Sequence, residues 1–167
     1  VQFIFSTHNC LMGEDSVLRP ANKLFSREFR SIAHFDKVLI IIGDQIRLND
    51  DFLRYCGVNY ELNFSQCLAL LINYEKAPDI DISCMSIIWR QLLNLGKKLS
   101  VYEKNQLKTL NIRFPTQTNE LKNKTEIKCF AVEDRPAPFS PCWLKHYPGF
   151  SGEDLEALAT LFGIPIF

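Results

Sequence analysis

His8-Asn-Cys10 and Cys142-Trp-Leu-Lys-His146 are two places where this chain sets imidazole and thiol close together. His8, Cys10, Cys142 and His146 make up the donor set of a tetrahedral structural zinc. Paired CxxC knuckles are absent, and two unrelated surface pairs are the plainer account. The same pairs could instead give a thiolate–imidazolium nucleophile at Cys10 or Cys142, because a neighbouring positive charge lowers a thiol's pKa. No nucleophile elbow or other local signature accompanies either cysteine. Zinc is the one cofactor the composition suggests, and no complete catalytic constellation is present.

Asp44 follows an apolar run, Lys37 to Gly43, with Asp50 and Asp51 close behind. An acid at the carboxyl end of a strand can hold magnesium or a ribose. A phosphate-cradling loop needs more glycine than Gly43 supplies, so a strand-ending turn and an acidic helix start explain these residues better.

The charges balance over the whole chain, nineteen basic against nineteen acidic, but they are locally uneven. From Arg90 to Lys128 nine basic residues face three acids, and from Glu133 to Glu156 five acids face two basic residues. Lys97, Lys98, Lys104 and Lys108 could contact phosphates, with Tyr102 or Phe114 stacking on a base. Lys104 and Lys108 lie one helical turn apart on a shared face. No nucleic-acid motif accompanies this footprint, and a solvated helix face is the alternative. The segment Pro136 to Phe150 interleaves prolines with Phe139, Trp143, Tyr147 and Phe150. Prolines keep such a segment extended at low entropic cost, and aromatics anchor interfaces. It reads as a strap packed on its own domain or as a docking segment for a partner.

The elements that position these residues follow from periodicity. Met85, Ile88, Leu92, Leu95 and Leu99 recur at three- and four-residue steps and predict a helix ending near Gly96. Ser100-Val-Tyr-Glu103 is a capping box that opens a second helix, and Ser151-Gly-Glu-Asp154 opens a third that stops at Gly163. Asn49-Asp-Asp predicts a further helix start, and Ser65 is placed as the cap of an apolar helix running to Tyr74. Val1 to Phe5 and Lys37 to Gly43 read as strands, and Pro20 to His34 as a helix between them. That order suggests a βαβ unit, with an α+β arrangement as the alternative. Phe114 to Glu120 reads as an exposed polar loop, Ile127 to Val132 as a third strand, and the prolines of 135–148 forbid regular helix.

The segment Phe35 to Gln45, followed by Phe52-Leu53, Cys56 and Phe64, resembles the opening of a BTB/POZ domain. The resemblance implies a strand ending in Gly-Asp and a dimerising adaptor. Leu48-Asn49 stands where that family has Ala-His, and the chain beyond Phe64 does not continue its pattern.

At 167 residues the chain can bury a core without staples, and its thirteen Phe suggest a Phe-rich core or an apolar contact surface. No apolar run reaches the ~20 residues of a membrane helix. Six dispersed cysteines lack the density of a disulfide scaffold and read as free thiols of an intracellular protein, cytoplasmic or nuclear. Two acceptor tripeptides for N-glycosylation, at Asn63 and Asn123, argue the other way. Opening on Val1 without Met fits a processed fragment. The expectation is an α+β or small α/β protein: a mixed core over 1–115, an exposed loop over 116–126, and a strap with its C-terminal helix over 127–167. The expected role is a non-catalytic protein-interaction or assembly subunit, partnered by another protein or a second copy. The alternatives are a nucleic-acid-binding accessory domain and a cysteine- or metal-dependent enzyme.

Overall fold

A computed structural model describes residues 2–77, 81–129 and 149–166. Its seven helices and two antiparallel two-stranded sheets, counted among the described residues, make an α+β fold. The chain divides into two compact units, Val1–Asn63 and Phe64–Phe167.

The first unit begins with helix α1 (Gln2–Thr7), where a strand was expected. A five-residue apolar run carries no period that separates strand from helix. Phe3 and Ile4 of this helix face outward, while Phe5 meets the edge of Phe52 at 6.0 Å. A hairpin of β1 (Leu11–Met12) and β2 (Leu18–Arg19) follows.

The expected helix over Pro20–His34 is broken into two single 3-10 turns, an extended stretch and α2 (Arg30–Ala33). Long-range pairing decides this. Phe25 donates its N–H to Ile40 O and accepts from Ile42 N, both at 2.9 Å, and Ser26 N donates to Asn59 O at 2.9 Å. Backbone groups spent on distant partners cannot close an i→i−4 ladder. The Lys37–Gly43 run accordingly forms isolated bridges at Ile41 and Ile42 in place of a continuous strand, and no βαβ unit results. The strand implied by the BTB/POZ resemblance is therefore not formed. Helix α3 (Asp50–Cys56) starts where its signal lies, with Asn49 Oδ1 accepting from Phe52 N at 2.7 Å. Leu11, Leu24, Ile42, Leu53 and Cys56 fill the core of this unit.

The second unit holds α4 (Phe64–Glu75), α5 (Ile82–Leu95), α6 (Val101–Thr109) and α7 (Gly152–Phe162). Ser65 falls inside the first turn of α4 and does not cap it. Residues 113–123, expected as loop from Phe114 to Glu120, form a hairpin of β3 (Arg113–Pro115) and β4 (Leu121–Asn123). Thr116 at its turn is fully buried, with its N–H donating to Glu120 O at 2.8 Å. Asn119 takes the left-handed conformation (φ 62°) that closes this turn, one that short polar side chains tolerate. Three buried rings join the elements: Trp89 of α5 stacks on Phe114 of β3 at 5.3 Å, and Phe114 meets Phe162 of α7 edge-on at 5.0 Å. Cys129 pairs in parallel with Ile166 as an isolated bridge, the described part of the expected third strand.

Candidate functional site

Helix α6 carries the most exposed apolar side chains of the second unit on its first turn and a pair of lysines further along it. Its start is fixed locally: Glu103 N donates to Ser100 Oγ at 3.2 Å and Ser100 N donates to Glu103 Oε2 at 2.7 Å. The Ser100 N–H and, at 2.8 Å, the Ser100 hydroxyl both donate to the Glu103 carboxylate and hold it below its usual range. Its end is closed by Lys124, a buried residue whose ammonium donates to Lys108 O and, at 3.4 Å, to Leu107 O. A cation on the last carbonyls complements the negative end of a helix dipole. Burial pushes the Lys124 pKa down. Between these two caps, Leu107 is the one buried residue of the helix.

One flank of α6 faces α4. Tyr102, Glu103 and Gln106 border a groove of about 500 Å³ with Phe64, Leu68 and Ile72. Tyr102 is 71 % exposed and neighbouring Val101 is 77 % exposed. Apolar groups this open are ordinary when scattered, but a tyrosine set beside a partly apolar groove has the make-up of an interface anchor.

The other flank faces α7 and the end of α5. Lys97, Lys104 and Lys108 rim a pocket of about 350 Å³ whose floor comes from Leu93, Gly96, Ala157, Thr160 and Leu161. The Thr160 hydroxyl donates to Glu156 O at 2.9 Å. Among the described residues no carboxylate lines this pocket and none of the three lysines forms an ion pair. Helix α7 is held in place by its own capping box, in which Asp154 N donates to Ser151 Oγ at 3.1 Å, and by Arg90, whose Nη1 lies 3.1 Å from Asp154 Oδ2. Gly163 ends the helix in the left-handed conformation (φ 71°).

The residues singled out from sequence are distributed as follows. Three of the four lysines converge on one pocket, and Lys98 stands apart from it, exposed. Phe114 is 1 % exposed inside the aromatic core, so it is no stacking platform for a base. Of the remaining basic stretch, Arg90 is committed to Asp154, Arg113 to Glu75 at 2.5 Å and Lys122 to Glu120 at 3.6 Å. Phe150 packs against the Arg90 guanidinium, 4.1 Å from its ring centre, so this aromatic is held within its own unit. Phe139, Trp143, Tyr147, Cys142 and His146 lie outside the described residues.

His8 Nδ1 lies 2.9 Å from Thr7 Oγ1, and Cys10 is exposed. Among the described residues no three His, Cys, Asp or Glu side chains come together to hold a metal. Asp44 is drawn into an arginine cluster, 2.5 Å from Arg30 Nη2 and 3.5 Å from Arg27 Nε, and Arg30 lowers its pKa. Asn123 is the cap of a single 3-10 turn, and its side-chain amide donates to Asn111. Among the described residues no helix is long and apolar enough to cross a membrane.

The groove beside Tyr102 was missed by sequence reasoning. Its signal was present as two apolar residues, Val101 and Tyr102, at the outward-facing start of an otherwise polar helix.

No family model, no curated protein and no solved structure matches this chain.

Proposed function

We propose that this chain is a non-catalytic protein-interaction or assembly subunit that engages its partner through the α4–α6 groove. The observation that carries this reading is Tyr102, held outward on a doubly capped helix next to a groove lined on its α4 side chiefly by Phe64, Leu68, Ala69 and Ile72. A capped helix presents such a ring without the ordering cost of a mobile loop, which is what gives a rigid aromatic its value at an interface. Truncating an anchor of this kind costs about 2 kcal/mol or more, roughly a thirtyfold weaker complex.

The test is photo-crosslinking from position 106, on the border of the same groove, read together with sedimentation of the purified chain over a range of concentrations. The expected result is a discrete crosslinked species, either a dimer or one partner, that V101S/Y102A removes while the thermal unfolding curve stays put. A chain that remains monomeric and crosslinks to no protein refutes the reading.

A second reading, a nucleic-acid-binding accessory domain, draws support from the convergence of Lys97, Lys104 and Lys108. It requires binding that weakens steeply with salt, and charge reversal at these lysines must abolish that binding.

A further inference from the structure

We propose that the pocket between α6, α7 and the end of α5 binds a small amphiphilic anion: one acidic head on an aliphatic body. Independent features of the pocket point the same way, and the inference does not rest on the α4–α6 reading.

Among the described residues the rim is cationic without compensation. Lys97 comes from the turn after α5 and Lys104 and Lys108 from α6, no described acid lines the pocket, and none of the three forms an ion pair with a described residue. Three like charges around one concavity repel one another, and an anion between them removes that repulsion.

The floor is aliphatic. Leu93, Ala157 and Leu161 line it, and the Thr160 hydroxyl is turned to Glu156 O. The volume, about 350 Å³, falls within the ~300–1,000 Å³ range of small-ligand sites.

This floor also separates the proposed ligand from a nucleic acid. Single strands are held by aromatic platforms along a charged track. Here Tyr102 lies on the opposite flank of α6 and Phe114 is buried, so among the described residues no aromatic ring lines the lysine pocket. An aliphatic chain needs no π-face, and its methylenes gain from leaving water against leucine and alanine. The acidic head would sit between Lys104 and Lys108, one helical turn apart.

The head could belong to a free carboxylic acid or to an anionic lipid. Both share the recognised chemistry, and the experiment separates them.

Titrate the isotope-labelled protein with decanoate, decanol and inorganic phosphate, following the resonances of Leu93, Ala157 and Leu161. Decanoate is expected to saturate these resonances, with decanol and phosphate each about tenfold weaker or more. K104Q/K108Q should weaken decanoate about tenfold. A157W, at an exposed helix position lining the pocket, should block it without changing the thermal unfolding curve. Phosphatidylglycerol vesicles distinguish the sources. Vesicle binding that A157W removes assigns the head to a lipid, and decanoate binding with no vesicle binding assigns it to a free acid. Equal binding of decanol and decanoate, displacement of decanoate by an oligonucleotide at equal concentration, or binding indifferent to both variants overturns the proposal. If A157W shifts the unfolding curve, the lysine pair alone decides.

Discussion

Lys124 is the residue on which the placement of α6 depends most directly, so K124M is the perturbation that tests it. Methionine keeps the length and packing of the stem and deletes the ammonium. Leu107 O retains a second donor, Leu110 N at 3.3 Å, whereas Lys108 O loses its charged one. A hydrogen bond to a charged group contributes about 1.5–3 kcal/mol. Against this, methionine removes the desolvation penalty that lowers the lysine's pKa. The net loss is about 1–2 kcal/mol, which at about 2–4 °C per kcal/mol for a chain of this length lowers the melting temperature by roughly 2–8 °C. Hydrogen exchange should localise the loss to the amides of the last turn of α6. A pH series sharpens the test. The folded pKa of Lys124 lies below its ordinary value of 10.5, so between the two the unfolded chain binds more protons. Wild-type stability therefore rises relative to K124M as pH climbs through that window, and the gap between them widens. A K124M protein as stable as wild type, equally protected along α6 and with a gap independent of pH, would refute the assignment of Lys124 as the helix's C-terminal cap.

Three further outcomes follow from the same contacts. Glu103, Asp154 and Asp81 are held below the usual carboxylate range, the first two chiefly by cap backbone N–H groups and the third by the Ser83 hydroxyl. Folded values below the unfolded ones mean that this stability is present above ordinary carboxylate pKa values and lost as pH falls through the lowered ones. Acid unfolding curves should show the loss, and S100A and S151A should each cost about 1 kcal/mol at neutral pH. F114A opens a cavity between Trp89 and Phe162 and should cost about 3–5 kcal/mol in denaturant unfolding. Among the five described cysteines, peptide mapping after alkylation should find Cys10 modified first. Cys67, pushed by burial up to about 12, and Cys129, up to about 11, should react only on unfolding.

The sequence was most legible where structure is set by neighbours within four residues. Ser100 with Glu103, Ser151 with Asp154, Asn49 before its helix and Gly163 after its own stand where their chemistry places them. It was least legible where distant backbone partners decide. Nothing between Pro20 and His34 announces that Phe25 will bond to Ile40 and Ile42, and the helical spacing of its apolar residues is overruled by those bonds. Thr116 and Thr118 read as polar loop, yet their hydroxyls lie 3.0 Å apart and Thr116 is buried in a hairpin turn. The lysine pocket is intermediate. The shared face of Lys104 and Lys108 could be read from their spacing, but Lys97 and Leu161 join them only through the packing of α5 and α7.

The ring stack of Trp89, Phe114 and Phe162 also sets a clock for synthesis. Its first two members leave the ribosome well before the third, at translation rates of roughly 5–20 residues per second. For several seconds the nascent chain therefore carries a tryptophan and a phenylalanine whose partner does not yet exist. Ile166, which pairs with Cys129, arrives later still. The stack cannot be completed until α7 has been made, and over that interval Trp89 and Phe114 are held without their third ring.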